Sequence, residues 1–143
     1  MLMALIALIG VFVSLYLTLY KLGYIGTLAC GTGGCETVQL SRWGDFLGVP
    51  VAGWGVVYYA AVLGLAIASV QERFADSRRL TLALLLVTGW GLLFTLWLTY
   101  LELFVIHAIC RWCVGSAAMT VALFVLAWWD WRASGEWRVA GDE

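Results

Sequence analysis

The chain has 143 residues, a length that suits one domain better than two. Hydrophobic residues make up 64% of it and charged residues 12%, whereas a soluble domain carries about 25% charged residues. A core of this size cannot hide so much apolar surface, so lipid must cover the rest and an ordinary soluble protein is excluded. The formal net charge of −1 argues nothing, and no basic patch points to nucleic acid.

Four stretches contain no Asp, Glu, Lys or Arg: 1–20, 46–71, 80–101 and 112–129. Each meets the roughly 17–25 apolar residues that a spanning helix needs. In lipid the backbone of such a run must bond internally, which means helix, and the ~10-residue alternating strands of a transmembrane barrel do not appear. The expected fold is therefore all-α and integral to the membrane, a four-transmembrane-helix bundle forming one domain over 1–143. Its helices are expected at about 1–20, 49–70, 80–106 and 111–130, with a redox loop at 21–48. The first run lacks a positive n-region and is long for the core of a signal peptide, so it reads as a span.

The loop after the first helix holds Cys30 and Cys35 in a turn made permissive by Gly31, Gly33 and Gly34. Residues 37–43 are expected to form a short helix on the membrane surface, with Trp43 at headgroup depth. Pro50, the only proline, suits the first turn of the second helix. Ala60, Gly64 and Ala68 follow at four-residue spacing and read as a helix-packing ladder. Tyr58, Tyr59, Tyr100, Trp128, Trp129 and Trp131 read as interfacial anchors. Glu102 lies about one turn inside the end of the third helix, where a carboxylate either serves function or snorkels to the interface. His107 reads either as a polar residue at a helix end or as a ligand.

Lys and Arg near the helix ends set the orientation. Arg73, Arg78, Arg79, Arg132 and Arg138 lie on one side, Lys21, Arg42 and Arg111 on the other. That split predicts cytoplasmic termini and an extracytoplasmic 21–48 loop. All four cysteines then share the outer side, where disulfides persist. Cys110-Arg111-Trp112-Cys113 is a C-x-x-C opening the fourth helix. Its i, i+3 spacing puts both sulfurs on one face of the first turn. Unsatisfied backbone N–H groups and the positive end of the dipole favour a thiolate there, the usual logic of redox pairs. Two other readings of the cysteines stay open: a pair of static disulfides, or a zinc site with His107 as a substitute ligand.

These features together resemble the vitamin K epoxide reductase family in its bacterial branch. The resemblance rests on Cys35-Glu36-Thr37-Val38-Gln39-Leu40-Ser41-Arg42-Trp43-Gly44, on Gly48-Val49-Pro50, and on the run from Leu103 through His107 to Cys110, Cys113 and Ser116-Ala117. It implies a membrane thiol–disulfide oxidoreductase that supports disulfide bond formation, in the bacterial cytoplasmic (inner) membrane as a multi-pass protein. It implies that a thioredoxin-fold, DsbA-like partner exchanges with Cys30, that Cys35 passes electrons to Cys110, and that Cys113 faces a quinone (menaquinone, ubiquinone or a vitamin K-like naphthoquinone). It makes Ser41 a loop serine at the quinone pocket, which the loop caps; Glu102 and His107 are candidates for the same pocket. Two departures stand out: Ala117 occupies the position of a tyrosine in the animal enzymes, and the chain has no Asn. Both put epoxide reduction, rather than plain quinone reduction, in doubt. Some bacterial members carry a fused thioredoxin domain. Here 14 residues follow Trp129, so the partner is expected to be a separate protein. No metal and no nucleic acid are expected. The alternative function is a non-enzymatic membrane redox sensor or assembly factor using the same cysteines.

Overall fold

The uncharged runs fold as helices because nothing in lipid can satisfy their backbone groups from outside. The computed structural model describes residues 1–24, 26, 37, 40–73, 77–109 and 111–141, with 134–141 as backbone only. Cys30, Cys35 and Cys110, and the turn of Gly31, Gly33 and Gly34, lie outside the described residues. Helix α1 is Leu2–Lys21, α2 is Val51–Val70, α3 is Arg78–Tyr100 and α4 is Arg111–Gly141. All four are long and apolar enough to cross a membrane. A π-helical turn, Leu101–Ile106, continues α3. Helix α1 packs chiefly on α2 and α3 on α4, while α1 against α4 and α2 against α3 complete the bundle.

Lipid tails are as apolar as leucine, so close packing and hydrogen bonds must hold such helices together. The structure shows both. Gly10 on α1 lies under the Tyr59 ring of α2, where a Cβ would overlap the ring carbons. Gly91 on α3 stands in the same relation to the Tyr58 ring. Tyr59 is buried and its hydroxyl reaches α4, meeting the Ser116 carbonyl at 2.9 Å, Ser116 Oγ at 2.8 Å and Thr120 Oγ1 at 3.1 Å. Around it Ala7, Val62, Leu84, Leu123 and Ala127 form the central core. Buried threonines satisfy themselves along their own helices: Thr88 donates to the Leu84 carbonyl at 2.7 Å and Thr120 to the Ser116 carbonyl at 3.0 Å.

Several expectations need correction. Ala60 and Gly64 are exposed, and a Cβ on Gly64 would meet nothing within 4 Å. The packing face of α2 is instead the stripe Ala52, Tyr59, Val62 and Ala66, on another side of the helix. Tyr58 and Tyr59 are not interfacial anchors. Tyr59 lies eight residues into α2, about 12 Å below its start at the helical rise, and so belongs to the interior. Pro50 precedes α2 rather than opening its first turn, with ψ 136. It pairs with Asp45 in a small antiparallel hairpin, β1 (Asp45–Phe46) and β2 (Val49–Pro50). The two-residue turn at Leu47 and Gly48 has φ of 55 and 78, the pair of positive values that matches hairpin twist. Helix α4 runs on to Gly141 rather than ending near 130. Past the lipid it carries Arg132, whose guanidinium lies 5.5 Å from the Trp128 ring, while Arg78 lies 4.7 Å from Trp131. These cation–ring contacts place charge beside the aromatic girdle at that end.

Candidate functional site

At the end of the bundle where the hairpin sits, three local devices shape a cavity. The first is the hairpin itself. Lys21 Nζ at the end of α1 lies 3.7 Å from Asp45 Oδ2, and Trp54 Nε1 donates to the Phe46 carbonyl at 3.1 Å. The Phe46 ring meets Trp54, Phe94 and Trp97 at centroid distances of 6.3, 5.8 and 6.1 Å, all close to edge-on. An aromatic lid thus joins the hairpin to α2 and α3.

The second device is the first turn of α4. Tyr16 of α1 packs on Trp112 with centroids 5.5 Å apart, which pins that turn to the bundle. Cys113, the third residue of α4, is half-buried beside Leu17 and Ala52. The third device is the π-helical turn, a feature that often marks functional sites. Its wider winding leaves the Glu102 carbonyl accepting from the backbone N–H groups of both His107 and Ala108. His107 then takes a left-handed conformation, φ 56, and ends the helix. Glu102 is 8% exposed, so it is turned into the protein and does not snorkel.

Between these devices lies a cavity of about 430 Å³, walled by all four helices and Phe46. Such a volume falls within the ordinary range for small-molecule sites. Trp54, Val57, Trp90, Phe94 and Leu98 give it an apolar wall along α2 and α3. Its polar side chains are few: Ser14, Thr95, Thr99, Glu102, Cys113, Ser116, Thr120 and the two tyrosines. Val57 and Trp90 are also exposed on the outside of the bundle, so the cavity reaches the lipid-facing groove between α2 and α3.

Of the residues singled out in the sequence, the structure brings Cys113 and Glu102 to one cavity. Ser41 is half-buried just before the 3-10 turn Arg42–Gly44, and His107 is exposed; neither lines the cavity. Thr37 and Leu40 are helical, as expected for part of 37–43, and Trp43 is exposed with its ring 6.4 Å from that of Trp97. The sequence reading missed Tyr58, Tyr59, Ser116 and Thr120. One signal was available. Ser116 and Thr120 follow Cys113 at i+3 and i+7, so the three share a face of α4.

The sequence matches the vitamin K epoxide reductase family over residues 1–128, which takes in the first three spans and most of the fourth. The chain belongs to that family. A vitamin K epoxide reductase family member is an oxidoreductase of the membrane, handling thiol–disulfide chemistry, and the four spanning helices make this one multi-pass.

Proposed function

We propose that the protein passes electrons from a reduced thioredoxin-fold, DsbA-like partner through Cys30 and Cys35, then Cys110 and Cys113, to a membrane quinone. The single observation that carries this reading is Cys113 set at the wall of an apolar, membrane-embedded cavity. A quinone ring is flat and apolar with two acceptor oxygens. Aromatic walls with a few hydroxyl groups fit it, and a cavity that reaches lipid suits a substrate carrying an isoprenoid tail.

The chain's own residues divide the work. Cys113 presents its sulfur at the cavity wall, and the Phe46 ring of the hairpin, set against Phe94 and Trp97, closes part of the same cavity. Excluding water matters because a protein thiol can approach only from the aqueous side, whereas the acceptor must be bound in a dry site. Two cysteine pairs in series reconcile these demands: Cys30 meets the partner, Cys35 exchanges with Cys110, and closing the Cys110–Cys113 disulfide releases two electrons and two protons. Bound in the cavity, a quinone supplies the acceptor for both. Ser41, Glu102 and His107 are assigned to the same end of the bundle, with Glu102 the one turned toward the acceptor. We place this end on the extracytoplasmic face of a bacterial cytoplasmic membrane. The cluster of Arg73, Arg78, Arg79 and Arg132 at the other end supports that orientation.

Without oxygen, a catalytic amount of purified protein should oxidise an excess of a reduced DsbA-like protein only when quinone is present. Oxidation at the same rate without quinone would favour the redox-sensor alternative and remove the cavity from the account.

A further inference from the structure

Two neighbouring tyrosines on α2 are in opposite states. Tyr59 OH has three partners, but Tyr58 OH, also shielded from solvent, has no hydrogen-bond partner among the described residues. Tyr58 lines the cavity, its ring held against Gly91 where any Cβ would collide with it. Thr120 on α4 lies beside the phenol. The two form no hydrogen bond, however, and Thr120's proton goes to the Ser116 carbonyl at 3.0 Å. Leaving a buried donor unmatched is costly, and inside a membrane no solvent is at hand to relieve it.

Resting on the quinone reading above, we propose that Tyr58 is a quinone-binding residue whose hydroxyl donates to the carbonyl farther from Cys113. Two arguments favour a carbonyl over a water as the missing acceptor. A buried water needs several polar partners, yet the Thr120 hydroxyl beside the phenol is already engaged with Tyr59 and Ser116, and Ala61, Val87 and Gly91 offer no polar side chain. A ketone oxygen needs only one donor. The second argument is length. Thr120, beside the phenol, lies seven residues below Cys113 on α4, about 10 Å along the axis. One quinone ring, with a hydrogen bond at the deep end and the Cys113 sulfur at the other, bridges such a span. Tyr58 thereby sets which carbonyl edge of the ring is presented to the sulfur, and Gly91 keeps the phenol in place.

The test uses Tyr58→Phe in the full-length protein, with ubiquinone-1 as probe. Quinone binding is read by quenching of tryptophan fluorescence, since Trp54 and Trp90 line the cavity. The dissociation constant for quinone should rise about tenfold in the variant. The infrared carbonyl stretch of bound quinone, lowered in the wild type, should return to the value of quinone free in lipid. Thermal stability without quinone should be unchanged or higher, because the variant removes an unmatched donor and no bond. A merely structural tyrosine predicts the reverse: lower stability without quinone and an unaltered carbonyl band. Equal quinone affinity in wild type and variant, or loss of stability without quinone comparable to Tyr59→Phe, would overturn the proposal. If the wild type itself shows no saturable quenching, the cavity is not a quinone site and the parent reading fails with it.

Discussion

Tyr58 and Tyr59 divide the bundle into two regions built from the same materials. Around Tyr59, where α1, α2 and α4 meet, polar atoms are matched and the gap at Gly10 is filled by the ring. Around Tyr58, where α2 faces α3, the hydroxyl has no hydrogen-bond partner among the described residues, and space remains open beside Phe94, Trp90 and Cys113. The contrast shows how a small membrane protein separates holding itself together from holding a ligand. The Tyr59 interface carries interhelical hydrogen bonds, whereas beside Tyr58 a buried donor borders open space.

That comparison can be strained from its rigid side first. Gly10→Ala puts a methyl group into the Tyr59 ring, and overpacking of this kind should cost about 1–3 kcal/mol in resistance to denaturing detergent. Unchanged resistance would mean that the α1–α2 contact is looser than described. Tyr59→Phe removes the link from α2 to α4 and should cost less, roughly 0.6–2 kcal/mol on the same scale. If Tyr59→Phe is neutral while Tyr58→Phe is damaging, the roles of the two tyrosines are reversed. The smallest effect belongs to Gly64→Ala on the lipid-facing side of α2. Its new methyl meets nothing within 4 Å, so a change within about 0.5 kcal/mol, or the slight gain expected from helix propensity, should be observed. A large loss there would reveal a partner packed on the Ala60–Gly64–Ala68 face.

The spans were legible in the sequence because lipid imposes one rule on every backbone group, and absence of charge over a membrane's width is enough to reveal it. The helix ends near the hairpin, expected at about 20, 49, 106 and 111, fall within two residues of those observed, and the family membership followed from cysteine spacing and motif. What was hidden depends on which side of a helix faces inward. Along α2 nearly every residue is apolar, so hydrophobic periodicity cannot tell the Tyr59 stripe from the Ala60–Gly64 stripe; only partner helices decide. The hairpin escaped notice because Leu47 occupies a turn position normally announced by Asn or Asp. Glu102 was visible as an anomaly, but its burial depended on the π-helical turn, which leaves no composition signal.

The central claim is that the Cys113 sulfur delivers electrons into the cavity. A fully reduced Cys30→Ser/Cys35→Ser protein, mixed anaerobically with ubiquinone-1 and no other thiol, tests it in a single turnover. The account predicts one quinol formed per chain as the Cys110–Cys113 disulfide closes, and none when Cys113→Ser is added. Quinol formation that persists without Cys113, or a disulfide that closes with no quinol produced, would contradict it.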